Sequence, residues 1–456
     1  MLTFQQRRDT ILSQFAQAKA DLETLNSDID ISGELLIDAT LNLNGKTFNV
    51  GKNVNVNSYL HVRNGRLNCK GDFYANYYSE IYMQNEKDIL NVEGTFTFSN
   101  LRYSCDFSNG TLIIGGNCNV NGGDFRATAA HKTIFNGEQK QIINVTNTYA
   151  SFGKIIFNNT SEDGIEVKNS FNYAELVNES GCKVIFANGG TVGETLSADK
   201  VVDGDYILAM GELDLNGHTL TINGDFIQAG GEVKINSGKL VVNGNYRIQT
   251  KKATEDGKES YDYSTGILNM TNESDVVEVS GDFVMGSTKS HDGKLSAGTL
   301  TVGGNFTQLS YNARNNFVAS GSHKVIFTSE KDHAISFDSS RSGESHFANL
   351  TFEDDSKITL KNDSYKRVTV TGSLTGTGCE ISGYIDLAGA AKVVNKYKGN
   401  IRISEGYTLN SDISISGNFS AESYLYLNGK QLSTDGNVTI SSYIGIQSGT
   451  LNCKGN

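Results

Sequence analysis

The chain has 456 residues, with 49 glycines, no proline, no tryptophan and a formal net charge of −12 (pI near 5.1). That length fits two or three ordinary globular domains or one elongated repeat domain. The acidic balance excludes the basic face that DNA or RNA would need, and without proline the turns must be shaped by Gly and Asn.

Residues 1–24 predict an amphipathic helix. Ile11, Leu12, Phe15, Ala18, Leu22 and Leu25 recur at helical spacing among Gln, Lys, Asp and Glu. Such a helix is expected to cap the first coil of a repeat array, with a partner-binding segment as the alternative. Arg7 and Arg8 are followed by no continuous apolar run, so no signal peptide is visible. No stretch has the apolar length of a membrane span. The chain therefore reads either as cytoplasmic or as an internal piece of a longer exported protein.

From Asp28 onward the pattern becomes strict alternation, as in "LNLNGKTFNV" (41–50), with Asn-Gly or Gly at the bends. This is strand chemistry with period two. A short triplet punctuates it: Gly, then Asp or Asn, then Phe, Tyr or Val. The copies start at Gly71 (with Phe73), Gly224 (Phe226), Gly244 (Tyr246), Gly281 (Phe283), Gly304 (Phe306), Gly417 (Phe419) and Gly436 (Val438). The recurrence predicts an all-β fold, a β-solenoid of ~19–23-residue coils over residues 25–456. The residue after each Asp or Asn is expected to stack inside on its equivalents. The Asp or Asn itself should face out or cap the turn. A series of hairpins in a sandwich or barrel is the alternative.

A longer period overlies the coil. Residues 25–72 align without gaps on 409–456, with 23 of 48 positions identical. Between them "HKTIFNGEQKQIINV" (131–145) echoes "HKVIFTSEKDHAISF" (323–337). The order is array, HK unit, array, HK unit, array, which points to tandem duplication of a cassette. The polar stretch 251–266 is expected as a loop inserted off one edge. "LNCKGD" (67–72) returns as "LNCKGN" (451–456), with Leu67, Cys69, Leu451 and Cys453 expected inward. The second copy stops in mid-coil, which leads us to expect the front part of a longer array.

Groups that could carry chemistry are scattered. The acidic clusters are Asp203-Asp205, Glu255-Asp256-Glu259-Asp262 and Glu353-Asp354-Asp355, none with calcium-loop spacing. Paired carboxylates in an outer groove would suit a polysaccharide lyase or hydrolase. The seven histidines, His61, His131, His218, His291, His323, His333 and His346, form no metal-ligand spacing. His131 and His323 occupy equivalent places in the HK units, as a duplicated cassette requires. The six cysteines, Cys69, Cys105, Cys118, Cys182, Cys379 and Cys453, include no Cys-x-x-Cys pair and read as buried free thiols. Asn-rich faces such as "NVNVNS" (53–58) predict side-chain ladders along the stack, with ordered water or glycan contact as alternatives. No catalytic, cofactor-binding or metal-binding residue is assigned.

The coil sentence "LDLNGHTLTINGDF…GKLVVNGNY", with "HKVIF…FANLTF" units between arrays, resembles the repeat regions of filamentous-haemagglutinin-like bacterial adhesins and contact-dependent or polymorphic toxins. The resemblance spans roughly residues 28–456 and is one of repeat style. It implies a right-handed parallel β-helix that acts as a stalk, adhesin or toxin-delivery filament on the cell surface or secreted. Its partners would be a cell-surface protein or glycan and further repeats or an effector beyond residue 456. Two departures stand out: no proline, hence no Asn-Pro motif of that family's secretion domain, and no C-terminal toxin domain. The reading that results is a non-catalytic structural and interaction rod. A carbohydrate-active β-helix and a phage tail-spike segment are the alternatives.

Overall fold

The computed structural model describes residues 24–456 except for the short stretches 100–104, 123–124, 148, 170, 188, 253–257, 312–315, 329–330, 339–344, 354–356, 362–366 and 377–379. The expected capping helix, 1–24, falls almost wholly outside the described residues. Among the described residues there is no helix, and the chain is all-β.

Alternation fixes the fold locally. Each turn supplies short strands in which every second residue is apolar and buried, and parallel pairing with the next turn sets like on like. Phe48 pairs with Leu67, and Leu67 with Leu90, all three fully or almost fully buried. Asn49, Asn68 and Asn91, one position along, stack outside on the same register. The result is a parallel β-solenoid. In place of the alternative hairpins, one antiparallel pairing is described: Tyr261–Tyr263 runs back along Gln249–Lys251. Within the expected polar loop 251–266, Tyr261–Tyr263 is therefore a strand that widens the sheet.

The chain divides into two compact units, Met1–Thr191 and Val192–Asn456. In the first, two eight-stranded sheets run from Ile29–Ile31 to Asn172–Asn178 and from Leu35–Ile37 to Val184–Phe186. A third sheet has only three short strands: Leu41–Asn42, Tyr59–His61 and Glu80–Tyr82. The second unit repeats the plan with sheets of ten and nine strands. Further along it come narrower sheets, including the three-stranded Tyr407–Thr408, Leu425–Tyr426 and Ile444–Gly445. The turns are not uniform: side-chain bonds between stacked equivalents span 16 residues at Asp386–Arg402, 19 at Asn49–Asn68 and 37 at Asn245–Asp282.

The Asn-Gly bends have a backbone reason. Asn44 and Gly45 both take positive φ (50° and 73°), as do Asn216 with Gly217 and Asn428 with Gly429. Two consecutive left-handed residues turn the chain sharply, and Asn and Gly are the residues that tolerate it.

The duplicated cassette reappears as a vertical series. Along one edge of the first unit stand Asp88, Gly110 and His131, and the second unit repeats it with Asp275, Gly298 and His323; each residue precedes a strand residue in parallel register. Asp88 Oδ2 accepts the N–H groups of Gln84 and Asn85, and Asp275 Oδ2 accepts those of Thr271 and Asn272. Both aspartates are fully buried turn caps.

Candidate functional site

The recurrent triplet is a device for joining turns. A Cβ built on Gly71 would lie 2.3 Å from Asn53 Oδ1 of the turn before; on Gly224, 2.4 Å from Asp205 Oδ1; on Gly244, 2.4 Å from Asp225 Oδ1. Gly281, Gly304, Gly417 and Gly436 face Asn245, Asp282, Asn400 and Asn418 in the same way. Those oxygens accept the next turn's backbone: Asp72 N–H to Asn53 at 2.9 Å, Asn245 N–H to Asp225 at 2.7 Å, Asn418 N–H to Asn400 at 2.7 Å. Glycine is needed because the carboxamide or carboxylate below occupies its side-chain space. The sequence pattern suggested that Asp or Asn points out or caps its own turn; it binds the following turn instead. The third residue of each triplet points inward. Phe226, Tyr246, Phe283 and Phe306 are fully buried, with successive ring centroids 4.7, 5.3 and 5.3 Å apart. Phe73 and Phe419 are equally buried, and Val438 is partly covered.

The scattered acids are engaged in the stack. Asp203 accepts Asn223 Nδ2, and Asp205 accepts Asp225 N–H. Glu259 pairs with Lys251 and Asp262 with Lys252; Glu255, Asp256, Asp354 and Asp355 lie outside the described residues. Asp386 makes a two-pronged pair with Arg402, both largely buried, and also accepts Ser404 Oγ. Among the described residues no group of three His, Cys, Asp or Glu is placed to hold a metal ion.

Four histidines, His131, His291, His323 and His333, line the interior, and burial pushes His131, His291 and His323 down to about 4; His346 is half-buried between the buried Ser345 and Phe347. Cys69 and Cys118 are buried, and burial raises the Cys69 thiol to about 11, which keeps it protonated and inert. Cys105 and Cys182 are half-buried, and Cys379 lies outside the described residues. Leu67 points inward as the alternation suggested; Leu451 and Cys453 stand in register with the buried Leu432 and Thr434 on the same inward side, where Leu451 is only partly covered and Cys453 is exposed.

Two of the short sheets carry groups that the stacking does not require. The three-stranded sheet of the first unit that holds Tyr59–His61 and the three-stranded sheet of the second that holds Leu425–Tyr426 bear aromatic rings outside, whereas the second unit's other three-stranded sheet carries Glu212, Glu232 and Lys234 there. In the second unit the Tyr424 ring lies over Gly406, where a Cβ would come within 1.8 Å of Tyr424 Cζ, and Tyr426 lies against Gly445. Tyr424 and Tyr426 stand 5.4 Å apart, and Tyr426 and Tyr443 5.7 Å. Tyr424 is 46% and Tyr443 55% exposed. In the first unit Tyr59 is exposed, and His61 stacks on Tyr82 at 4.4 Å with planes 8° apart. Partial burial, followed by the Arg63 charge, lowers the His61 pKa, so its ring is a neutral aromatic at neutral pH. The aligned cassettes differ here: Asn42 matches Tyr426, and His61 matches Gly445. Both sheets carry outer aromatic rings although the residues supplying them change. Sequence periodicity missed the face because its strands are only two or three residues long.

No family model, curated protein or solved structure matches the chain.

Proposed function

We propose that this chain is a non-catalytic structural and interaction segment, the stalk or adhesive filament part of a large bacterial surface or secreted protein. In this reading the solenoid is right-handed, as parallel crossover connections almost always are, with coils of ~19–23 residues and the N-terminal helix as its cap. The observation that carries the reading is the division of labour among side chains. Asp and Asn are committed to bonds between turns, while Tyr59, Tyr424 and Tyr443 on the short outer sheets leave much of their rings exposed. Long stacked surfaces with rigid aromatic contact points suit recognition of a protein or glycan.

The test is direct. Purified chain is presented to cultured cells and to immobilised glycans, alongside a variant carrying Tyr424→Ala, Tyr426→Ala and Tyr59→Ala. Saturable binding that the variant loses supports the proposal. Release of new reducing ends from a polysaccharide by the unmodified chain would overturn it in favour of a carbohydrate-active β-helix.

A further inference from the structure

Asn-Gly occurs ten times in the chain. It is the dipeptide most prone to lose ammonia, because glycine leaves its backbone nitrogen free to reach the preceding side chain, and asparagine is correspondingly thermolabile. Whether that happens in a folded chain depends on where the glycine N–H is held. At the sharp bends it is held by the next turn: Gly45 donates to Arg63 O at 2.9 Å, Gly217 to Asn236 O at 3.0 Å and Gly429 to Gln447 O at 2.9 Å. Within the sheets Gly224 donates to Gly204 O and Gly244 to Gly224 O. Gly65, Gly122 and Gly137 likewise donate to acceptors outside their own dipeptide.

Gly110 differs. Its N–H points at Oδ1 of its own neighbour Asn109, 3.0 Å away. Asn109 is held at its other end by its N–H to Met83 O at 2.9 Å. Its carbonyl oxygen lies 2.7 Å from His131 Nδ1. A carbonyl only accepts, so Nδ1 carries the hydrogen. That bond draws electron density from the Asn109–Gly110 peptide and makes the Gly110 N–H easier to ionise. Gly110 cannot be traded away, since its φ is +80° and a Cβ there would meet Asp88 Cβ at 2.8 Å. Asn109 is half-buried, within reach of water.

We propose that Asn109-Gly110 is a self-modification site, at which the folded chain converts Asn109 into isoaspartate or aspartate. The Gly110 nitrogen forms a bond to Asn109 Cγ, the Cγ–Nδ2 bond breaks, and ammonia departs with the proton that Gly110 gave up. Water then adds to the cyclic imide. Opening at the backbone carbonyl leaves isoaspartate, and opening at the side-chain carbonyl leaves aspartate. Either product places a carboxylate beside the buried Asp88 cap, and isoaspartate also lengthens the main chain within a turn whose register is fixed on both sides.

The second cassette supplies a natural blank. Gly298 stands where Gly110 stands, also with positive φ (79°), and the residue before it is Ala297. The fold therefore accepts Asn109→Ala. The experiment incubates the full chain at neutral pH, native and in denaturant, and counts deamidated and isoaspartyl peptides at each Asn-Gly by mass spectrometry. In the native chain Asn109 should convert at least about tenfold faster than Asn44, Asn216 or Asn428. In denaturant the rates should converge, and Asn109→Ala should remove the native signal without altering the other sites. A native ratio of Asn109 to Asn44 equal to the ratio in denaturant would overturn the proposal.

Discussion

Asn245 Oδ1 accepts the backbone N–H of Asp282 at 2.8 Å, although 37 residues separate them. The excursion through the Tyr261–Tyr263 strand leaves the turn-to-turn bond unchanged. Asn305 N–H continues it to Asp282 Oδ1, also at 2.8 Å. The contact, and not the length of the coil, is what the fold conserves from turn to turn.

Gly244→Ala should therefore be costly where an ordinary strand Gly→Ala is mild. The new methyl would meet Asp225 Oδ1 at 2.4 Å and the Gly224 carbonyl at 2.6 Å. Displacing that oxygen also removes the acceptor of Asn245 N–H. We expect a loss of about 2–4 kcal/mol in urea unfolding. Asn243→Ala removes only an exposed side-chain bond to Asn223 and should cost under about 1 kcal/mol. Equal costs for the two would contradict the role assigned to the glycine.

The interior histidines set an acid limit. His131, His291 and His323 titrate near 4 when folded, because burial disfavours the imidazolium, against 6.5 when exposed. Above pH 6.5 both states hold these rings neutral and stability is flat. Between pH 6.5 and 4 the unfolded chain binds protons that the folded chain refuses, so stability falls with pH. Each ring should contribute a loss of about 1–3 kcal/mol by pH 4.5. Chemical denaturation at pH 7 and 4.5 checks this. His323→Gln, with two ring nitrogens lacking partners replaced by one amide, should shrink the pH 7 to 4.5 difference.

The two buried caps make a matched pair of substitutions. In Asp275→Asn an amide nitrogen replaces one of two oxygens, which accept N–H groups from Ser237, Thr271 and Asn272. At least one buried donor is then unmet, a loss of about 1–3 kcal/mol. Asp88→Asn, with donors from Asn64, Gln84 and Asn85, should lose a similar amount. A clear loss in one and none in the other would show that the duplicated caps have diverged.

The outer tyrosines should behave in the opposite way. Tyr424→Ala, at a site 46% exposed, is expected to cost less than about 1 kcal/mol. Gly406→Ala should cost more than removing the tyrosine above it, because the methyl enters the Tyr424 ring position. Thermal unfolding of the two variants ranks them.

Much of this architecture was legible in the sequence, and the limits are physical. Alternation around Phe48, Leu67 and Leu90 identifies the inward column because period two is local. The triplet at Gly244-Asn245-Tyr246 announces the repeat, and its aromatic points inward. The sequence could not show that Asp225 fills the side-chain space of Gly244, since that contact depends on register between residues far apart in the chain. Cys453 keeps the inward side that its match to Cys69 suggested, yet it is exposed, because burial also needs covering turns. The aromatic face was invisible because Leu425–Tyr426 and Ile444–Gly445 are too short to have a period.

The side-chain bonds of the glycine triplets also have a direction. Asn53 accepts from Asp72, Asp225 from Asn245, and Asn418 from Asn437; in each of these the acceptor precedes its donor in the chain. A ribosome delivers residues in that order. Each finished turn emerges with its oxygens already aimed at the place where the next turn's amide will arrive, so synthesis itself lays a template one turn ahead of the growing chain.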